Sequence, residues 1–184
     1  AKAVQMRDML MVKRVLMSGK ASVVDTDTYG DAALLLAAEF GVLDIIQWLL
    51  QHDRANIGAR DSGGTTSLVM AAENGHLIVV QWLIQHGGAD IGEKNNNGDT
   101  ALLFSALYGY QTMVQWLIQE GGADIGDRNN EGDTALLVAA GHGPLLVVQW
   151  LLRFGKATIT DVNMDGHSFW DIIQYRFRNA SNVD

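Results

Sequence analysis

Cysteine is absent from this chain of 184 residues, which excludes disulfides and thiolate metal sites. That absence is compatible with a reducing compartment. No apolar run approaches the roughly 18 residues of a membrane-spanning helix, and no secretory signal pattern opens the chain. Basic residues are few: 13 Lys and Arg stand against 21 Asp and Glu, for a formal net charge of −8. This balance argues against nucleic acid as the main partner, because phosphate binding relies on Lys and Arg. It favours a partner with a basic patch, although acidity also serves simply to keep a repeat protein soluble. Proline occurs once, at Pro144. The chain opens at Ala1 and not at Met, as a processed product or an excised piece does, so flanking domains stay open as an alternative.

What is present is periodic. Trp48, Trp82, Trp116 and Trp150 recur every 34 residues, each directly after a glutamine. A glycine column keeps the same step at Gly30, Gly64, Gly98, Gly132 and Gly166. Self-similarity at a fixed period of this size marks a stacked repeat array, in which each unit touches only its neighbours. The hydrophobic content of 48 % is enough for a continuous core. In the unit from Gly98 to Gly132, Asn97-Gly98 marks a tight turn. Thr100 is then a good N-cap, Ala101–Tyr108 a short helix, and Gly109 its end. Tyr110–Glu120 follows as a second helix, with Met113, Val114, Leu117 and Ile118 at core spacing. Gly121-Gly122 supplies a left-handed cap.

The same order predicts inner helices near 32–40, 66–74, 100–108, 134–142 and 168–177. Outer helices are predicted near 42–52, 76–86, 110–120 and 144–154, with Pro144 at the start of the last. The ends differ. Residues 1–24 read as a capping half repeat with Lys13 and Arg14 at the Gln-Trp phase, and residues 161–184 as a closing half repeat made more polar by Tyr175, Arg176, Phe177 and Arg178. Residues 25–58, 59–92, 93–126 and 127–160 are the full repeats, all in a single domain over 1–184.

These units resemble ankyrin repeats. The resemblance is carried by Gly98-Asp99-Thr100-Ala101-Leu102-Leu103-Phe104-Ser105-Ala106, by Gly75-His76-Leu77-Ile78-Val79-Val80 and by Gly88-Ala89-Asp90-Ile91. It covers nearly the whole chain and implies an all-α repeat solenoid of helix-turn-helix units joined by β-hairpin-like loops. The family's Pro and His in the first helix are replaced, as in Ala101-Leu102-Leu103 and Ala135-Leu136-Leu137. Burial therefore has to do the work of the family's Thr–His hydrogen bond. In the first unit even the capping Thr is replaced, by Ala32.

Candidate chemistry is thin. Asp25-Thr26-Asp27-Thr28-Tyr29-Gly30 begins like a calcium loop, but Tyr29 and Leu36 stand where oxygen ligands belong. The five histidines, His52, His76, His86, His142 and His167, have no metal-site spacing together with a third ligand. No nucleophile elbow, phosphate loop or dinucleotide fingerprint is present. No metal, cofactor or catalytic residue is expected. The Trp column reads as packing between outer helices, since an exposed row of Trp risks association.

The resemblance implies that a partner lies across the hairpin tips and inner helices, which form a concave face. The expected contact residues are Tyr29, Asp31, Glu39, Phe40, Glu73, Asn74, Asn97, Asp99, Leu107, Tyr108, Glu131, Asp133, His142 and Asp165. This set holds acids and apolar groups but no Lys or Arg, which suits a protein or peptide with a basic and apolar surface. Arg60, Lys94 and Arg128 form a column at the hairpin bases that partly offsets the acids. The expected function is a monomeric, non-catalytic protein–protein interaction module in the cytoplasm, serving as an adaptor. A host-directed effector, acting in host cytoplasm or nucleus, is one form of it. Two alternatives stand beside it: the recruitment segment of a larger enzyme, and homotypic assembly through the Trp column.

Overall fold

The computed structural model describes residues 33–52 and 55–180, with side chains to residue 178. The expected N-terminal half repeat, the stretch from Asp25 to Gly30, and the positions Asp31 and Ala32 lie outside the described residues. Contacts divide the chain into two compact units, Ala1–Asn96 and Asn97–Asp184.

The first unit contains α1 (Ala33–Glu39), α2 (Leu43–His52), α3 (Ser67–Glu73) and α4 (Leu77–Trp82). The second contains α5 (Ala101–Tyr108), α6 (Gln111–Gln119), α7 (Ala135–Gly141), α8 (Leu145–Arg153) and α9 (Phe169–Ala180). These bounds follow the 34-residue reading closely. Among the described residues the loops contribute an isolated antiparallel bridge, Val162 to Ser168, and no named strand. Each short inner helix packs on the outer helix that follows it, and inner helices stack on inner helices: α1 on α3, α5 on α7, α7 on α9.

The inner helices α3, α5 and α7 start after a threonine, and small or apolar residues fill them. Thr66 Oγ1 accepts from Val69 N at 3.5 Å, and Thr100 Oγ1 accepts from Leu103 N at 3.3 Å. Such caps satisfy donors that the first turn leaves open. Thr134 departs from the pattern: its buried hydroxyl has no partner. Thr66 is oriented by donating to Glu93. At the same phase two repeats on, the carboxylate is Asp161, one methylene shorter and paired with Arg128 at 3.2 Å. Val69, Leu103 and Leu137, which stand at the replaced histidine position, are all buried. Each such side chain contributes about 1.5–3 kcal/mol by burial.

The outer helices carry the Trp column inward. Trp48, Trp116 and Trp150 are buried and Trp82 is half-buried. Four residues on, each meets a partner: His52 and His86 stack on their rings, Glu120 accepts from Trp116 Nε1 at 3.1 Å, and Phe154 tilts against Trp150. The column is therefore a packing seam. Helix α4 differs from the expectation by closing in a π turn, Leu83–Gly87. The doubled glycine absorbs one residue beyond a 33-residue repeat, and wider i→i−5 bonds accommodate it, as with Gly121 N to Trp116 O at 2.8 Å.

Candidate groove of the second unit

Hairpin tips are tied to one another by main-chain bonds. Within the first unit Asn96 N donates to Gly63 O at 2.8 Å. Within the second, Asn130 N donates to Asn97 O and Met164 N to Glu131 O, both at 2.8 Å. A glycine is required under each tip. Gly132 has φ +80, and a Cβ there would sit 2.9 Å from Met164 N. The arginine column reinforces this ladder. Arg60 Nη1 donates to Gly64 O at 2.6 Å and Lys94 O at 2.7 Å. Arg128 Nη1 donates to Gly132 O at 2.6 Å and Val162 O at 2.9 Å. These guanidiniums clamp loop carbonyls of successive repeats, a structural role beyond offsetting the acids.

In the second unit the tips and inner helices enclose a groove of ≈ 1010 Å³. From the expected contact set it brings together Asn97, Asp99, Leu107, Glu131, Asp133 and His142. Tyr108 and Asp165 do not line it. Tyr108 is half exposed beside it, with Phe104 at 6.2 Å and Tyr110 at 6.1 Å. Asp165 is exposed at a tip, where its N–H donates to Asn163 Oδ1 at 3.1 Å.

The first unit carries four more of the set. Glu39, Phe40 and Glu73 are half-buried and Asn74 is exposed. Asn74 Nδ2 donates to Met70 O at 2.9 Å, so this amide closes α3. The Glu39 carbonyl lies 2.8 Å from His76 Nε2, which gives His76 a capping role. Tyr29 and Asp31 lie outside the described residues.

The groove also has a wall that the sequence reading missed. Helix α9 supplies Asp171, Ile172, Gln174, Tyr175, Arg176 and Arg178, and His167 stands before it. Leu137 and Val138 of α7 lie beneath. A signal for this wall was present. Glycines recur at Gly41, Gly75, Gly109 and Gly143, ending each inner helix, and at the next phase stands Phe177. Without that stop α9 runs 12 residues, against 7 for α7.

Arg176 shows how the wall is held. Its Nη1 reaches the carbonyls of Ala140 at 3.0 Å and Gly143 at 2.8 Å, acceptors that the end of α7 leaves open. At the other end of α9, Ser168 and Asp171 form a reciprocal cap. Asp171 Oδ2 accepts from Ser168 N at 2.8 Å and Ser168 Oγ at 2.5 Å. The hydroxyl bond, then the main-chain bond, holds the Asp171 carboxyl below the usual aspartate range.

Among the described residues no group of His, Asp or Glu is placed to hold a metal ion, and no helix is long and apolar enough to cross a membrane.

The family model described as ankyrin repeats (3 copies) matches residues 1–95 and 79–163. A solved chain from the complex of a predatory endopeptidase from Bdellovibrio bacteriovorus with an immunity protein is similar over 100 % of this chain and 96 % of its own length. Its TM-score is 0.81 at 25 % identity. In all 615 solved chains match significantly, so the likeness speaks to architecture before it speaks to any one partner. No curated protein matches significantly in sequence.

Proposed function

The chain belongs to the ankyrin-repeat family, and on that premise we propose that it is a non-catalytic, monomeric module that holds a partner protein across its hairpin tips and inner helices. The observation that carries this reading is the groove of the second unit, built from tip, inner-helix and α9 positions. Scaffold positions keep to the repeat, while the groove lining varies: Leu107 of one repeat is answered by Gly141 in the next. The groove mixes an apolar floor with carboxylates at its rim, a composition suited to a protein surface. Adaptor and effector roles in a cytoplasm are both forms of the same activity.

One observation favours a narrower form. The full-length similarity is to a chain from a complex of an endopeptidase with an immunity protein. By that likeness, the partner is an enzyme that this module occludes.

Affinity capture from a cell lysate tests the reading. The native chain is expected to retain a protein that a Leu107→Ala, His142→Ala variant of unchanged melting temperature releases. Addition of the native chain should inhibit the captured protein if it is an enzyme. Equal retention by both chains would contradict the proposed face. Retention of nothing would contradict the binding role in that lysate and leave recruitment by a larger enzyme as the surviving alternative.

A further inference from the structure

Resting on the reading of the chain as a protein-binding module, we propose that the second-unit groove selects a segment presenting a single arginine or lysine flanked by apolar side chains. The cation sits among Asp99, Glu131 and Asp133, and the flanking side chains lie over Leu107, Leu137 and Ile172.

Geometry fixes the anionic end. The Asn129 side chain joins two successive hairpins there. Its Nδ2 donates to Asp99 Oδ1 at 3.1 Å, and its Oδ1 accepts from Glu131 N at 3.1 Å and Asp133 N at 2.9 Å. One amide thus holds the Asp99 carboxylate and the backbone of Glu131 and Asp133 at one end of the groove. The Asp133 side chain carries a second feature: its Oδ1 is shielded from solvent and has no hydrogen-bond partner. A desolvated acceptor left open is costly, and the field of a cation seated beside Asp133 offsets part of that cost.

Two guanidiniums near the groove are committed elsewhere. Arg128 is bonded to Gly132 O and Val162 O and paired with Asp161. Arg176 is bonded to the carbonyls that end α7. Arg178, exposed on the α9 wall, repels a second basic residue at that end. The fourth carboxylate of the lining, Asp171, is held by Ser168. Charge therefore gives the groove a direction, with the basic residue of the bound segment at the hairpin end and away from α9. The floor is apolar: Leu137 is buried, and Leu107 and Ile172 are half-buried.

The test is an NMR titration of the ¹⁵N-labelled full chain with two peptides, acetyl-Leu-Arg-Leu-amide and its citrulline counterpart. Citrulline keeps the shape of arginine and removes its charge. The arginine peptide should shift the amide signals of Asp99, Glu131, Asp133 and Leu137, and should bind about tenfold more tightly than the citrulline peptide. An Asp99→Asn, Asp133→Asn variant should lose that tenfold preference. Equal affinity for both peptides, shifts confined to other surfaces, or no shifts from either would overturn the proposal. The peptide comparison on the native chain stands even if the variant does not fold. A protein captured equally by native chain and variant would overturn the cation seat and leave the binding-module reading intact.

Discussion

Helices α7 and α9 occupy the same phase of the repeat and live in different surroundings. Helix α7 is covered on both sides, by α5 and by α9. Among the described residues α9 packs mainly on α7. Leu136, Ala139, Ala140 and Gly143 are buried between layers, while Trp170 and Phe177, at the phases of Leu136 and Gly143, are 56 % and 53 % exposed. Close stacking demands small residues at the crossing. A Cβ on Gly143 would lie 2.5 Å from the Ala106 carbonyl oxygen. Where α9 faces outward that demand lapses, so Ile173, Gln174 and Phe177 replace Ala, Ala and Gly. A repeat sequence is thus two overlaid messages, one for stacking and one for whatever the face meets next.

The sharpest way to break this comparison is to truncate the same phase in both helices. Leu136→Ala should cost about 2–5 kcal/mol through the cavity it leaves. Trp170→Ala should cost about 1 kcal/mol or less, since mainly its edge contact with Phe169 is lost. Urea unfolding measures both, and equal losses would remove the distinction. Gly143→Ala comes next. Its methyl group meets backbone on two sides, so it should destabilise by about 1–3 kcal/mol, while Phe177→Ala should stay within about 0.5 kcal/mol.

A smaller effect of opposite sign is expected after α8. Lys156 holds φ +59 at the phase where Gly88 and Gly122 stand. Left-handed backbone costs a side-chain-bearing residue roughly 1–2 kcal/mol, so Lys156→Gly should raise stability by about 1 kcal/mol, read as a higher melting temperature. The smallest effect concerns the start of α9. The Asp171 carboxyl titrates below its unfolded value, so its cap contributes stability at pH above the unfolded value. That contribution is lost as pH falls through the lowered folded value. In Ser168→Ala this acid-dependent part of the melting curve should shrink, and an unchanged pH profile would speak against the cap.

Most of the fold was legible because period and packing are the same fact. A Trp, a Thr and a glycine at fixed steps mark positions that successive layers reuse, and the family match over residues 1–95 and 79–163 agrees with that reading. The contact surface was less legible. Asp99, Leu107 and Asp133 were found at variable tip and helix-end phases, and the structure gathers them in one groove. Tyr175 and Arg178 were read only as a polar cap, because a wall opposite α7 exists only once α9 has been placed. The clamping role of Arg60 and Arg128 was hidden for the same reason: a charge in a sequence does not disclose a carbonyl in the next loop.

Hydrogen exchange of the chain, alone and with its captured protein partner, tests the central claim most directly. Protection should rise at the tips around 97–99 and 129–133 and along α9, with the outer helices α6 and α8 unchanged. Protection confined to α6 and α8, where Trp116 and Trp150 pack, would contradict the account and assign binding to the opposite face.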